Sequence, residues 1–340
     1  MTTRILIAGG YGLVGGAIAR LIRASSKDSE IILAGRNPEK GTALARELGR
    51  AGTAYLDVAD LESLADLGPV DLIVAALYDP GNALLHAALT RGIAHIGITT
   101  KAEDVAPIAF ASLQSPPKRP VVLLGACAAG VATIVAQRAA RDFSRVDSIE
   151  ITALFDMRDP VGPMTAGDAE SLVSRALVRE GGTWAWVEGP QRARPIRLSD
   201  GQVLDGLPTG LLDVPSLAAL TEAANVRLDI VQGDSLGTRA GGAASSDVYI
   251  DIDGTLKSGG PGKRRVVTSD PNGLVHLTAL GVLIAAERVL GLDGEAPAAG
   301  GLYLPETLLS PEAAIARFQQ FGLQIRSEQG QASSAMVCFA

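Results

Sequence analysis

The sequence contains few of the residues that stabilise small secreted or metal-bound proteins. Only two cysteines, Cys127 and Cys338, and three histidines occur in 340 residues. Two cysteines build neither a disulfide framework nor, by themselves, a zinc site, so we expect no metal. Aromatic residues make up only 4% of the chain, whereas alanine, glycine and aliphatic residues are abundant. This composition is typical of a parallel sheet covered by helices rich in small residues.

Basic charge is also scarce. The 30 lysines and arginines are outnumbered by 37 acidic residues, the net charge is −7, and no basic stripe stands out. This balance argues against nucleic acid or an anionic membrane as a partner. No uninterrupted apolar stretch reaches the length of a membrane span, and the first predicted strand begins too close to Met1 for a signal peptide. We therefore expect a cytoplasmic protein that acts on a small molecule.

A glycine-rich loop near the start of the chain is the strongest functional motif. The pattern Gly10-x-Gly12-x-x-Gly15 directly follows the apolar run Ile5–Ala8 and opens a helical pattern over 13–25. Gly10 allows a tight turn, Gly12 lets a pyrophosphate approach the backbone, and Gly15 lets the helix pack closely on the strand. The alternative is an ordinary glycine-rich turn, but a strand before the loop and a helix after it favour dinucleotide binding.

Strands and helices alternate regularly through the first 125 residues. The predicted strands are 4–8, 30–34, 53–57, 70–76, 93–98 and 120–125. The predicted helices are 13–25, 38–49, 60–67, 80–91 and 102–114. This alternation predicts an α/β fold with a Rossmann-type doubly wound parallel sheet over residues 1–130. Helices within 303–340 are candidates to complete this domain.

After residue 130 the pattern changes and predicts a second, smaller mixed α/β domain over 131–302, for substrate binding and dimerisation. Its predicted strands are 148–155, 184–187, 194–198, 226–231, 247–252 and 264–268. Predicted helices lie at 133–143, 167–180, 274–290 and 311–321. Trp184 and Trp186 alternate on one strand, where core packing is favoured over an apolar pocket or a dimer interface.

The tip of the second strand indicates the nucleotide. NAD-binding domains usually place Asp or Glu there, to accept a hydrogen bond from the ribose 2′-hydroxyl. Here Arg36 and Asn37 occupy the tip, and Lys40 follows one turn into the next helix. Because a guanidinium can hold a 2′-phosphate through two parallel hydrogen bonds, we predict NADP(H) over NAD(H). The alternative is that Arg36 is a solvated residue that stacks on adenine.

Further cofactor contacts are predicted at the carboxyl ends of the parallel strands, where ligands of open α/β sheets bind. Small residues at the end of the fourth strand leave room for the nicotinamide ribose. Asp57 is equally well explained as a helix cap, and Cys127 is also typical of a small buried filler. The full predicted set is Gly9, Gly10, Tyr11, Gly12, Leu13, Val14, Gly15, Arg36, Asn37, Lys40, Asp57, Val58, Ala75, Ala76, Tyr78, Thr99 and Cys127.

Several segments together resemble the saccharopine dehydrogenase-like family of NADP-binding oxidoreductases. They are the 9–15 loop, the 33–37 tip, and residues 56–58, 97–100 and 125–130. The resemblance covers about the first 130 residues. It implies a two-domain reductase, often a homodimer, whose nicotinamide faces a cleft between domains. It also implies hydride transfer to or from a small-molecule C=N bond.

The chain also departs from this family. Ala128 and Ala129 stand where saccharopine reductases carry Asp-Pro, so saccharopine itself is not the expected substrate. Two alternatives stay open: an NADP-linked carbonyl or enoyl reductase, and a non-catalytic NADP-binding sensor. Arg36 and the glycine loop are compatible with all three hypotheses, the C=N oxidoreductase and these two alternatives.

Candidate catalytic groups are those at strand ends that face the expected cleft. Tyr78 is also explained by packing on the nicotinamide, Lys101 by a solvated position at a helix start, and Arg239 by the surface. A cleft position is conceivable for His276 as well. Three residues are predicted as proton donors and three as substrate ligands: Tyr78, Lys101 and Asp156, and Arg158, Asp168 and Arg239.

Overall fold

The computed structural model describes residues 2–60, 62, 68–98, 105–162 and 173–329. A seven-stranded sheet, all of whose pairs are parallel, has the order β15-β6-β5-β4-β1-β2-β3. The order of its first six strands is that of a doubly wound nucleotide-binding sheet, which confirms the predicted Rossmann-type fold. The strands are β1 Arg4–Ala8, β2 Glu30–Gly35, β3 Ala51–Tyr55, β4 Leu72–Ala75, β5 Ala94–Gly97, β6 Pro120–Leu123 and β15 Gly301–Tyr303.

Both faces of this first sheet are buried, so its strands are apolar at consecutive positions rather than at alternate ones. Ile5 and Ile7 belong to one hydrophobic cluster, and Leu6 and Ala8 belong to the cluster on the opposite face. The helices of this part of the chain are α1 Leu13–Ser25, α2 Thr42–Leu48, α3 Ala83–Arg91, α4 Val105–Gln114 and α5 Val131–Ala140.

The second sheet is mixed, as the fold-class prediction requires. Its nine strands follow the order β10-β11-β12-β7-β13-β14-β16, with β8 paired to both β12 and β9. β12 and β7 are parallel, and the other pairs are antiparallel. The strands are β7 Phe143–Phe155, β8 Arg175–Glu180, β9 Thr183–Glu188, β10 Arg194–Arg197, β11 Val203–Pro208, β12 Asn225–Gln232, β13 Ser246–Leu256, β14 Pro261–Asp270 and β16 Gln324–Gln329.

Helices fill the space between the two sheets. α5 contributes Val131 and Ile134 to the first core and Val135 and Ala136 to the core under the second sheet. The remaining helices are α6 Asp213–Thr221, α7 Leu236–Arg239, α8 Gly273–Leu290, α9 Pro305–Leu308 and α10 Pro311–Gln320. The predicted domain boundaries stay a prediction, and the C-terminal elements divide between the sheets, since β15 joins the first and β16 joins the second.

The apolar helix α8 is the centre of the packing. By length and composition it could cross a membrane, contrary to the expectation that no segment reaches that length, yet 67% of it is buried inside the structure. It packs against α1 and against residues 127–130. Its apolar character is therefore explained by contacts on most sides within the protein.

One helix predicted for the second domain is wrong, and two elements of this domain were missed. The helix predicted over 167–180 gives way to strand β8 from Arg175, and residues 163–172 lie outside the described ranges. Ala176 and Val178 point into a small core while their neighbours face outward, which is the two-residue period of a strand. Strand β11 and helix α6 have no counterpart in the prediction.

The prediction that Trp184 and Trp186 pack in the core is also wrong. They are 44% and 42% exposed on β9, which pairs with β8 only. The guanidinium of Arg179 lies 5.3 Å from the ring centre of Trp184, and that of Arg175 lies 4.5 Å from Trp186. The buried face of this hairpin carries alanine and valine instead, so the two indoles cover arginine stems at the surface.

The central position of α8 in the packing leads to a prediction about the free energy of unfolding. Leu280 has no exposed surface, whereas Leu292 just beyond the helix is 39% exposed. We expect Leu280→Ala to lower the free energy of unfolding by about 2–5 kcal/mol, as large-to-small changes in a rigid core do. Leu292→Ala is the matched control, with an expected loss below about 1 kcal/mol. Equal losses in denaturant titrations would contradict the central role of α8.

Candidate nucleotide and substrate site

The glycine loop has the geometry that dinucleotide binding requires. A Cβ atom at Gly15 would lie 2.2 Å from the Gly9 carbonyl oxygen, and one at Gly10 would lie 2.7 Å from the carbonyl oxygen of Ile7. A Cβ at Gly12 would meet only the oxygen of Gly9, at 3.2 Å, with open space elsewhere. Gly10 and Gly15 are therefore demanded by internal packing, while Gly12 is the position at which a ligand can approach the backbone.

The N-terminus of α1 faces the same open space. Gly12 is its N-cap residue, so no side chain caps the helix, and its first turn contains no acidic residue. The first N–H groups of a helix have no intrahelical partner, so Leu13, Val14 and Gly15 present donors and the positive end of the helix dipole. Such an end binds a phosphate directly.

Tyr11 connects the glycine loop with the tip of β2. Its hydroxyl accepts a hydrogen bond from the backbone N–H of Asn37 at 2.8 Å. Its side chain fills the space beside Gly35 and Gly41, where a Cβ would come within 2.3 Å of its hydroxyl oxygen and within 3.0 Å of its ring, respectively. The structure therefore gives Tyr11 and Asn37 a role in fixing the loop against the strand tip.

Arg36 and Lys40 are exposed at this tip. Within the residues that the structure describes, neither side chain has a hydrogen bond or an ion pair. Their charges are therefore available to a ligand. The neighbouring Arg20, in contrast, is engaged by Glu47, with its Nε 2.7 Å from Oε1.

The other predicted cofactor residues of the first sheet have structural roles. Asp57 Oδ1 accepts a hydrogen bond from the N–H of Ala59 at 3.0 Å, so this carboxylate oxygen takes part in a local turn. Val58 packs against the core that contains Ala75. The carbonyl of Ala76 lies beneath Gly9, where a Cβ would come within 2.6 Å of its oxygen.

Residues 126–130 form a strained turn at the end of β6, which we call the alanine loop. Ala128 and Ala129 have φ angles of 50° and 52°, and Gly130 follows with 88°. Left-handed backbone costs a non-glycine residue about 1–3 kcal/mol and persists only when the surroundings impose it. Cys127 and its neighbours in the loop are buried, and burial together with the charge of Asp213 raises the pKa of the Cys127 thiol. A thiolate nucleophile is therefore disfavoured.

A buried aspartate holds this loop in place. Asp213, at the start of α6, accepts hydrogen bonds from the Cys127 N–H at 2.7 Å and from the Thr133 hydroxyl at 2.6 Å. It has no exposed surface, and burial raises the pKa of its carboxyl group. Asp213 could not be predicted from local sequence, because it lies more than 80 residues from the loop that it binds.

An inter-sheet cavity of about 230 Å³ lies between the alanine loop, the second sheet and the start of α8. It meets the nucleotide side at Val14 and Cys127, two of the predicted cofactor residues. Its described lining is mostly aliphatic: Val14, Ile98, Ala126, Cys127, Ala128, Ala129, Ala153, Leu154, Phe155, Val161, Gly162, Leu211, Leu228, Ile230, Ser246, Asp247, Val248, Leu274, Val275 and Thr278.

The one carboxylate in this described lining, Asp247, is fully engaged. Its Oδ1 accepts hydrogen bonds from the hydroxyls of Ser245 and Ser269 at 2.9 and 2.6 Å, and Oδ2 accepts one from the Leu236 N–H at 2.6 Å. Its carboxylate oxygens are therefore held in place by neighbouring donors.

Two of the predicted proton donors do not enter the cavity. Tyr78 is 57% exposed and is absent from the described lining. Asp156 is buried, and hydrogen bonds from Thr238, Ser235 and Arg158 outweigh the effect of burial and hold its pKa well below the usual range. Asp156 therefore anchors a loop and is a poor acid. Lys101, the third candidate, and Thr99 lie outside the described residues.

The predicted substrate ligands are likewise not brought together. Arg158 is 66% exposed and lies 3.8 Å from Asp234. Arg239 forms an ion pair with Asp200. Asp168 lies outside the described residues.

A buried aspartate–histidine pair lies at the start of α8. His276 Nδ1 is 2.7 Å from Oδ2 of Asp270, whose side chain has no exposed surface. His276 itself is absent from the cavity lining, whereas Leu274, Val275 and Thr278 are part of it. His276 therefore lies beside the cavity and not inside it, unlike the cleft position considered for it from the sequence.

The contrast between two glycines tests the loop. Gly15→Ala forces a methyl group into the Gly9 backbone, and we expect a loss of about 1–3 kcal/mol in unfolding free energy. Gly12→Ala is expected to leave stability nearly unchanged but to weaken NADPH binding at least about tenfold, because the methyl group stands where the pyrophosphate approaches. Denaturation and NADPH fluorescence titrations measure both. Full NADPH binding by Gly12→Ala would contradict the assignment.

Removal of the buried aspartate tests the alanine loop. Asp213→Ala leaves the Cys127 N–H and the Thr133 hydroxyl buried without partners, and we expect it to lower the unfolding free energy by about 2–5 kcal/mol. Asp213→Asn keeps an acceptor for the Cys127 N–H, so we expect less than half of that loss. An alanine variant as stable as the original protein would show that the loop keeps its conformation without this carboxylate.

Comparison with known proteins agrees with this geometry. Residues 5–108 match the family model of the saccharopine dehydrogenase NADP binding domain. A comparison with curated protein sequences finds no match.

Solved structures share the fold along nearly the whole chain. Saccharopine dehydrogenase (L-Glu forming) from Saccharomyces cerevisiae superposes with a TM-score of 0.71 at 11% identity, over 97% of this chain and 100% of the other. Homospermidine synthase from Legionella pneumophila, in complex with NAD, gives 0.71 at 9% identity, over 100% and 94%. Amine dehydrogenase from Mycobacterium smegmatis gives 0.51 at 14%, over 91% and 97%. The sequence match shows that residues 5–108 form a domain of the saccharopine dehydrogenase NADP-binding type, and the solved structures show that the fold is shared along nearly the whole chain.

Proposed function

We propose that this protein is an NADP(H)-dependent oxidoreductase that transfers a hydride to or from the C=N bond of a small molecule. The inter-sheet cavity carries the proposal, because one apolar space adjoins both the nucleotide-binding edge of the first sheet and the inner side of the second. Ligands of open α/β sheets bind at the carboxyl ends of the strands, which is where this space begins.

Three features of the chain fit a bound dinucleotide. The open Cβ position at Gly12 and the uncapped start of α1 suit the pyrophosphate. Arg36 and Lys40 suit a 2′-phosphate, since both are exposed and have no partner among the described residues. Val14 and the alanine loop are then left for the nicotinamide end. When bound, NADPH supplies the hydride.

The lack of a free acid in the described lining favours C=N over C=O chemistry. Reduction of a carbonyl places a proton on oxygen, and a positioned side chain normally supplies it. In the described lining Asp247 accepts three hydrogen bonds and Cys127 is a buried thiol. An iminium ion already has a proton on nitrogen, so its carbon can accept a hydride without help from an acid. The products are the amine and NADP+.

The cofactor preference is tested by titration with NADPH and NADH. We expect Arg36→Ala to reduce NADPH affinity about 10–100-fold and to leave NADH affinity within about twofold, because a charged hydrogen bond to phosphate is worth about 1.5–3 kcal/mol. The matched control is Arg46→Ala, an exposed arginine on α2. Equal affinity of the original protein for both nucleotides would refute the 2′-phosphate role.

Turnover separates the reaction classes. With NADPH present, we expect oxidation of the cofactor by a cyclic imine and little or none by ketones and enones of similar size. Reduction of a ketone or an enone alone would replace the C=N assignment with the carbonyl or enoyl one. NADPH binding without turnover on any of the three would favour the sensor.

A further inference from the structure

We propose that the substrate group that enters the inter-sheet cavity is apolar and carries no carboxylate, so that the substrate is a simple aliphatic imine or amine rather than an amino-acid derivative. This inference rests on the proposed function and narrows it to a substrate class.

The described lining of the cavity contains no lysine, arginine or histidine. A carboxylate buried without a cationic partner is strongly disfavoured, because desolvation of the charge is not repaid.

Arg158 and Arg239, the two arginines predicted as substrate ligands, lie next to other acidic residues. The guanidinium of Arg158 lies 3.8 Å from Asp234 and is largely exposed. Arg239 pairs with Asp200 on another part of the second sheet. Neither residue is part of the described cavity lining. A substrate carboxylate would therefore find no partner there.

Negative charge accumulates at the end of the cavity next to α8. Asp159 accepts a hydrogen bond from the N–H of Leu274, a lining residue, at 2.7 Å. Burial, together with repulsion from Asp156, Asp270 and Asp247, raises the pKa of Asp159. The burial and the acidic neighbours that raise the pKa of Asp159 would also disfavour a further anion at this end of the cavity.

The size of the cavity agrees with a small ligand. Its volume of about 230 Å³ is below the about 300–1,000 Å³ of pockets that hold drug-sized molecules. Aliphatic side chains such as Leu228, Ile230 and Val248 make up most of the wall on the side of the second sheet. Contact with this wall favours an alkyl chain or an aliphatic ring.

Matched substrate pairs test the inference independently of the bond that is reduced. Pyrroline and pyrroline carboxylate form the imine pair, and pentanone and oxopentanoate form the ketone pair. In whichever pair turns over, we expect kcat/KM for the member without a carboxylate to be at least about a hundredfold higher, as the burial of an unpaired anion implies. Preference for the carboxylate in either pair overturns the inference. Turnover of the ketone pair alone would reject C=N chemistry and still test the carboxylate.

If no pair turns over, binding gives the answer. Thermal shifts in the presence of saturating NADP+ compare pyrrolidine with proline. Stabilisation by pyrrolidine and not by proline supports the inference, and the reverse order overturns it. Binding of neither compound also overturns the inference, because the inference requires the cavity to accept the ligand without a carboxylate.

A charge placed in the wall supplies the complementary test. Thr278→Arg adds a cation to the lining, and we expect the preference against the carboxylate to fall at least about tenfold. Thr90→Arg, at an exposed position on α3, is the matched control and should keep the original preference. Thermal unfolding and NADPH titration of both variants verify that they are folded and still bind the cofactor. If folded Thr278→Arg kept the original preference for the substrate without a carboxylate, the substrate would not bind in the cavity next to α8.

Discussion

The close approach of α8 to the alanine loop is the contact on which the site depends. A Cβ at Gly281 would lie 2.6 Å from the Ala129 carbonyl oxygen and 2.9 Å from that of Ala128, so the helix can reach the loop only with glycine there. The same loop is held from another side by Pro305, next to Gly130. This confinement explains how two alanines stay in left-handed conformations that would otherwise relax.

Much of the first sheet could be predicted from the sequence, because its signals are local. Each parallel strand is a short apolar run, and the glycine loop lies between a strand and a helix in the order that the motif requires. The second sheet was predicted less well. Its strands alternate polar and apolar residues. The sequence over 167–180 predicts a helix, but Arg175–Glu180 forms a strand because it pairs with β9 and β12.

The nucleotide end of the site could likewise be read from local residues, while the substrate end could not. Asp213 acts on a loop more than 80 residues away, and the cavity wall combines β7, β12, β13 and α8. Conversely, Asp57 and Asp156 have the residue type and the strand-end position of functional groups, but their carboxylates are occupied by neighbouring hydrogen-bond donors. Sequence position alone does not reveal whether a carboxylate is free.

In the proposed complex, the nicotinamide end of the bound dinucleotide lies in the inter-sheet cavity, against the alanine loop. The decisive measurement is a crystal structure of the protein with saturating NADP+. We expect the pyrophosphate at the start of α1, the 2′-phosphate beside Arg36, and the nicotinamide ring between the alanine loop and Thr278. A nicotinamide ring outside this cavity, or an adenine ring inside it, would contradict this placement.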